Sequence, residues 1–190
     1  MRAETGRRAV MLGALAMMTG CGVRARVLPR TSFTGTGNRL LMSGRITART
    51  ADDFATILAQ NPQITEIFVQ DMGGRHDVAA AIAMGMRVRA GGLSTHLQSD
   101  SRVAGAAIAP FLGGVTREAV AGAQIVPVGW DDPALAAFAA RMAGPATQSA
   151  FGLRNAGADR IHALSETEVS QSGLLTAPLR PLNTEGRTDV

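Results

Sequence analysis

The sequence predicts an α/β domain built on parallel strands, and three observations carry that expectation. Between Thr65 and Gly114 two short apolar strands are separated by a helix-length Ala-rich segment, the signature of a right-handed βαβ unit. The first of those strands is followed at once by Gly73-Gly74, a natural place for bare backbone N–H groups to face a ligand. With 190 residues, 46% hydrophobic and 18% charged, the chain is long enough for one such domain with its own core and short for two.

Taken in order, residues 1–20 read as a signal peptide: a basic start, a ten-residue apolar run from Ala9 to Met18, then Thr19-Gly20 before the lone Cys21. The run is too short to span a bilayer. Small residues ahead of a single Cys resemble the bacterial lipobox, so Cys21 is the expected lipidation site, with an ordinary signal peptide as the alternative. Gly22 after that Cys favours the outer over the inner membrane under the sorting rule for such proteins. Residues 21–37 are rich in Arg, Thr, Gly and Pro without periodicity and are expected to be a flexible tether.

The folded domain is expected over residues 38–176. RLLMSGRI gives a short strand broken by Gly44; Thr50-Ala51-Asp52-Asp53 opens a helix that carries Phe54, Ile57 and Leu58 on one face and stops at Asn61-Pro62. Ile64 to Gln70 follows as the central strand, and the helix from His76 to Arg89 has so many alanines that it packs closely on a sheet. Gly91-Gly92 caps it, Leu93 to Gln98 is the next strand, and Val103 to Leu112 a small-residue helix with Pro110 in its last turn. Ala123 to Val128 is a buried strand; Asp131-Asp132-Pro133 begins an amphipathic helix with Leu135, Phe138 and Met142 inward, closed by Gly144-Pro145. Asp159 to Leu164 and a helix from Ser165-Glu166-Thr167-Glu168 complete the ordered chain, and residues 177–190 form a loose tail.

Composition removes several chemistries. All nineteen basic residues are Arg and there is no Lys or Tyr, so Lys bases, Schiff-base lysines and Tyr acids are excluded. One Cys excludes an internal disulfide framework, and three isolated His without it give no metal constellation; no cofactor is implied. The formal charge is +4, to which the first twenty residues contribute three Arg against one Glu. With only 4% aromatics, the chain does not read as a nucleic-acid binder.

The order of elements, with Gly44-Arg45-Ile46-Thr47, Ala51-Asp52-Asp53-Phe54, Asn61-Pro62, Gly73-Gly74, Ala80 to Ile82, Gly92-Leu93-Ser94-Thr95 and Leu164-Ser165-Glu166-Thr167-Glu168, resembles the ClpP/crotonase superfamily, and more narrowly the exported ClpP-like proteins of Gram-negative bacteria. The resemblance covers roughly residues 40–176 and implies a spiral of ββα units with a mainly parallel sheet, in many relatives stacked into trimers or larger rings. In that family a nucleophilic Ser opens the helix after the second βαβ strand, and a general base His follows the next strand. The matching positions here are read as Val103 and Trp130, neither of which is a nucleophile or base. Gly73-Gly74 match the oxyanion hole, with Asp71 where the family commonly has Ser; a carboxylate there would oppose a developing oxyanion.

The remaining candidates are weaker on their own residues. His76 is expected beside Gly73-Gly74 in the first turn of its helix, neutral because of the helix N-terminus; His96 alternates along a strand; His162 has nothing around it to make a site. Ser101 reads first as an N-cap for a helix at Arg102-Val103. The expectation is a catalytically inactive binding or assembly module at the cell envelope, anchored through Cys21, with a peptide or protein partner or a homo-oligomer. The alternative is a serine peptidase or esterase in which Ser101 attacks, His76 or His96 is the base and Gly73-Gly74 stabilise the oxyanion. Acyl-CoA chemistry is a third reading, opposed by export and by the lack of a basic cluster for nucleotide phosphates.

Overall fold

The computed structural model describes residues 30–144, 147 and 163–182. Its strands are β1 (Ser32–Thr36), β2 (Arg39–Ser43), β3 (Glu66–Val69), β4 (Asp71–Met72), β5 (Ser94–Leu97), β6 (Arg102–Ala104), β7 (Arg117–Ala119) and β8 (Gln124–Val126). The helices are α1 (Thr50–Gln60), α2 (Val78–Ala90), α3 (Ile108–Leu112), α4 (Pro133–Ala143) and α5 (Glu166–Gln171), with a 3₁₀ turn at Gly105–Ala107 leading into α3. Five strands pair in the order β1-β2-β3-β5-β7 and three in the order β4-β6-β8; every pairing is parallel except β1 with β2.

The two sheets share their chain path. After β3 the backbone turns a corner at Gln70, whose N–H still donates to Met42 of the large sheet while its carbonyl accepts from Arg102 of the small one. β5 passes into β6 through Gln98–Ser101, and β7 into β8 through residues 120–123. Each repeat is thus strand, corner, strand, helix, the ββα spiral expected from the sequence. Sequence periodicity missed β4, β6 and β7 because strands of two or three residues are too short to alternate. The segment from Arg102 to Ala104, expected to begin a helix, is one of them.

The helices form for legible reasons. Asp77 caps α2 by accepting from the N–H of Ala80, and Asp132 caps α4 from Ala134 and Leu135, with Pro133 at the first helical position. Ser165 and Glu168 close the expected capping box of α5. Thr50, by contrast, is not a cap: its hydroxyl accepts from the N–H of Thr47, and α1 starts from Arg49 without a side-chain cap. The long helix starts at Val78, so His76 lies before its cap rather than in its first turn.

The core lies between the large sheet and the helices and includes the fully buried Phe54, Phe111, Leu40, Met42, Ile67, Met84 and Leu97. Each such side chain contributes about 1.5–3 kcal/mol by leaving water. Two boundaries differ from expectation. β1 pairs with β2 over its whole length, so the fold begins inside the stretch read as a tether; Ser-Phe-Thr-Gly-Thr has too few apolar residues to signal a strand. At the other end Arg180 exchanges backbone hydrogen bonds with Ala119 and Ala121, so the chain read as a loose tail is bound to the sheet at least that far. The signal peptide, Cys21, residues 159–161 and His162 lie outside the described residues.

Candidate functional site

Three parallel strands of the small sheet end side by side, and the loops leaving them enclose a cleft of about 500 Å³. The loop after β4 contributes Gly74, Arg75 and His76; the turn after β6 contributes Gly105 and Ala106; the loop after β8 contributes Val128, Gly129, Asp131 and Asp132. A cleft at the carboxyl ends of parallel strands is the general position for ligands in open α/β sheets. Its turns need residues tolerant of positive φ, and Gly74, Gly105 and Gly129 have φ of 90°, 59° and 67°. Among the described residues the N–H groups of Gly74 and Arg75 donate to no backbone or side-chain acceptor.

Gly74 therefore stands where the sequence placed an oxyanion hole, but its partner does not: Gly73 is buried and does not line the cleft. The second source of N–H groups on the cleft is the turn at Gly105-Ala106, the start of a 3₁₀ helix whose first donors have no intrahelical acceptor.

The positions matched to the nucleophile and base, Val103 and Trp130, do not line the cleft. Val103 is fully buried in β6, in register with Met72 and Ile125, and belongs to the core. The residue that opens the helix after β6 and faces the cleft is Gly105, two residues later. Trp130 is likewise buried, its indole N–H donating to the carbonyl of Gly105 at 3.0 Å; the exposed residues of the cleft after β8 include Val128, Gly129 and Asp131 on either side of it. Gly105, Val128 and Gly129 carry no nucleophile or base, and the carboxylate of Asp131 is the ionisable group left exposed on that side. Helix and strand ends, invisible to periodicity at this length, were the missing signal.

Asp71 and Ser101 lie at the other end of the small sheet. Both line a separate hollow of about 290 Å³ with Ser99, Asp100, Arg102, Gly122 and Gln124, at the amino ends of the strands. Ser101 precedes β6 and Gly105 follows it, a path of roughly 13 Å along a strand. Asp71 therefore does not sit over the candidate oxyanion site, and the repulsion expected from it does not arise. Ser101 caps no helix. Its Oγ donates to the carbonyl of Val69 at 2.7 Å and accepts from the N–H of Gln98 at 2.8 Å, tying the β5–β6 corner to β3.

The histidines do not supply a base to Ser101. His76 lines the cleft, yet Nδ1 accepts from the N–H of Ile46 at 3.1 Å and Nε2 lies 3.0 Å from the carbonyl of Met72, which requires the proton on Nε2. Burial, and secondarily the charge of Arg45, lower its pKa, while the bond to Met72 opposes them. Neutrality was expected, but from a helix terminus rather than from burial. His96 is on the opposite face of β5 from buried Thr95 and Leu97, stacked on Phe68 with centroids 4.7 Å apart and 3.6 Å from Glu118. Ser101, His76 and His96 thus occupy three separate places. Among the described residues no three metal-ligating side chains converge.

The sequence matches no family model and no curated protein. Solved structures of similar architecture do exist. An enoyl-CoA hydratase/isomerase from Marinobacter aquaeolei matches with a TM-score of 0.55 at 13% identity, over 76% of this chain and 68% of that one. An enoyl-CoA hydratase from Shewanella pealeana matches with 0.52 at 10% identity, over 76% and 66%. A Bacillus subtilis protein described as an enoyl-CoA hydratase of polyketide biosynthesis matches with 0.54 at 12% identity, over 77% and 70%. The chain has the crotonase-like fold. Identities this low establish architecture alone, because chemistry resides in sites grafted onto a fold.

Proposed function

We propose that this crotonase-like chain is a non-catalytic binding module, exported and held at the envelope membrane through Cys21. The observation that carries the reading is the content of the cleft: among the described residues no Ser, Thr or Cys lines it, and both nitrogens of His76 are occupied. What is left is a recognition surface, bare backbone N–H groups at Gly74 and Arg75 beside the apolar Val78, Ala106, Val128 and Pro133. A fluorophosphonate probe tests it: the folded chain is expected to remain unlabelled, whereas labelling that disappears in Ser101→Ala would overturn the reading. Export and anchoring are tested separately by metabolic fatty-acid labelling, expected in wild type and lost in Cys21→Ala.

A second reading, hydration of an enoyl thioester, the activity named for the similar proteins, draws on one observation. Asp131 places an exposed carboxylate in the same cleft as Gly74, where it would exchange a proton with a substrate held by backbone N–H groups. Against it, the cleft presents two carboxylates and one guanidinium, a poor surround for a polyanionic carrier. Loss of enoyl-thioester absorbance on incubation with the chain, abolished in Asp131→Asn, would favour this reading over the first.

A further inference from the structure

The charges of the cleft are sorted by wall. On the β4 side stand Arg75, with Arg45 close enough to influence His76; on the β8 side stand Asp131 and Asp132. Most polar groups there are already committed. His76 is bonded through both nitrogens, and Asp132 spends its carboxylate on the N–H groups of Ala134 and Leu135 at the head of α4. Two ionised side chains remain. Arg75 and Asp131 are both exposed and form no ion pair among the described residues, with each other or with anything else. A cleft that leaves a cation on one wall and an anion on the other unpaired, with apolar residues also lining it, complements a ligand of opposite polarity. A simple anion would meet the two aspartates and a simple cation would meet Arg75.

Resting on the binding reading above, we propose that the cleft takes the free C-terminal end of a peptide with a basic side chain near that end. The terminal carboxylate accepts from the N–H of Gly74 and the guanidinium of Arg75, and the basic side chain pairs with Asp131. Backbone donors at a positive-φ turn beside an arginine suit a carboxylate, which accepts several hydrogen bonds at once. The apolar Val78, Ala106, Val128 and Pro133 receive the aliphatic part of the peptide.

The test is calorimetric titration of the full chain in detergent with acetyl-Ala-Lys-Ala bearing a free carboxylate, against the same peptide amidated and against norleucine in place of lysine. Each charge contact is expected to matter about tenfold, so either change to the peptide weakens binding by roughly that factor. In Asp131→Asn the preference for lysine over norleucine is expected to vanish while the preference for the free carboxylate persists; in Arg75→Gln the preference for the free carboxylate is expected to shrink to what the N–H of Gly74 supplies while that for lysine persists. Equal affinity for all three peptides, or no binding of the free acid at millimolar concentration, overturns the proposal and leaves the non-catalytic reading standing. Cleavage of the peptide, read by mass spectrometry, overturns the non-catalytic reading, while a retained dependence on both charges still supports this ligand class. Trp130, the sole tryptophan, is bonded to Gly105 in the cleft wall, so a change in its fluorescence on titration locates binding there.

Discussion

Two groups of glycines in this molecule are put to opposite uses. Where α2 crosses α3, Gly85 and Gly113 let backbones touch: a Cβ added at Gly113 would lie 2.2 Å from the carbonyl oxygen of Gly85, and one at Gly85 would lie 2.5 Å from that of Ala109. Around the cleft, Gly129 has φ +67° and nothing within 4 Å of where a Cβ would be. The first pair is required by its neighbours, the second kind by its own dihedral angle. One residue type thus serves both a backbone-to-backbone contact and an open surface, and only the surroundings tell them apart.

The largest test of that contrast is Gly113→Ala. Gly113 has helical φ and ψ of −61° and −25°, so alanine is conformationally welcome and the entire cost is steric. Because the obstructing atoms are backbone on a packed helix, destabilisation of about 3 kcal/mol is expected from the denaturant midpoint. An unchanged midpoint would mean that α2 and α3 are not in backbone contact. Gly105→Ala comes next. It combines φ +59° with a Cβ only 2.9 Å from the carbonyl oxygen of Val128, and roughly 2 kcal/mol is expected. Trp130→Phe removes the bond that joins those two turns while the carbonyl of Gly105 keeps the N–H of Ile108; about 1 kcal/mol is expected, followed by circular dichroism because the fluorophore is lost.

How far the sequence discloses these differences depends on length scale. Helices announce themselves through composition and some of their caps: Asp132 and the Ser165–Glu168 box mark two starts, whereas Asp77, the cap of α2, falls inside the helix expected from His76, and α1 has no side-chain cap. The parallel arrangement follows from the long crossovers between strands. The small sheet does not, because β4 has two residues and β6 and β8 three each, too few for any period. That sheet decides the site: it puts Ser101 and Asp71 at one end and Gly105 and Val128 at the other. The positions that sequence order selects, Val103 and Trp130, therefore fall inside the core. Ser101 misleads for a related reason, since a buried turn hydroxyl and a nucleophile look alike until their partners are seen.

His76 offers a test of the cleft wall that depends on pH. Its pKa is lowered in the folded state, chiefly by burial, so the unfolded chain takes up the proton first as pH falls. The contribution is fully present above the unfolded value of about 6.5 and is lost as pH falls from there through the folded value. Protonation also sets a donor against the N–H of Ile46. Stability is therefore expected to decline below pH 6.5 more steeply in wild type than in His76→Gln, read from urea midpoints across that range; parallel curves would show that His76 is not held neutral.

The smallest expected effect among the glycines belongs to Gly129→Ala. With no neighbour to displace, the only cost is placing a Cβ in the left-handed region, about 1 kcal/mol and roughly a third of that at Gly113 for the same chemical change. Function should respond differently. Gly129 lines the cleft, so a methyl there occupies ligand space even where it disturbs no protein atom. Lost peptide binding with a nearly unchanged denaturant midpoint would separate the glycines that hold the fold together from those that hold the cleft open. A loss of stability as large as that of Gly113→Ala would remove the distinction, because the open wall at Gly129 would then be packed against something after all.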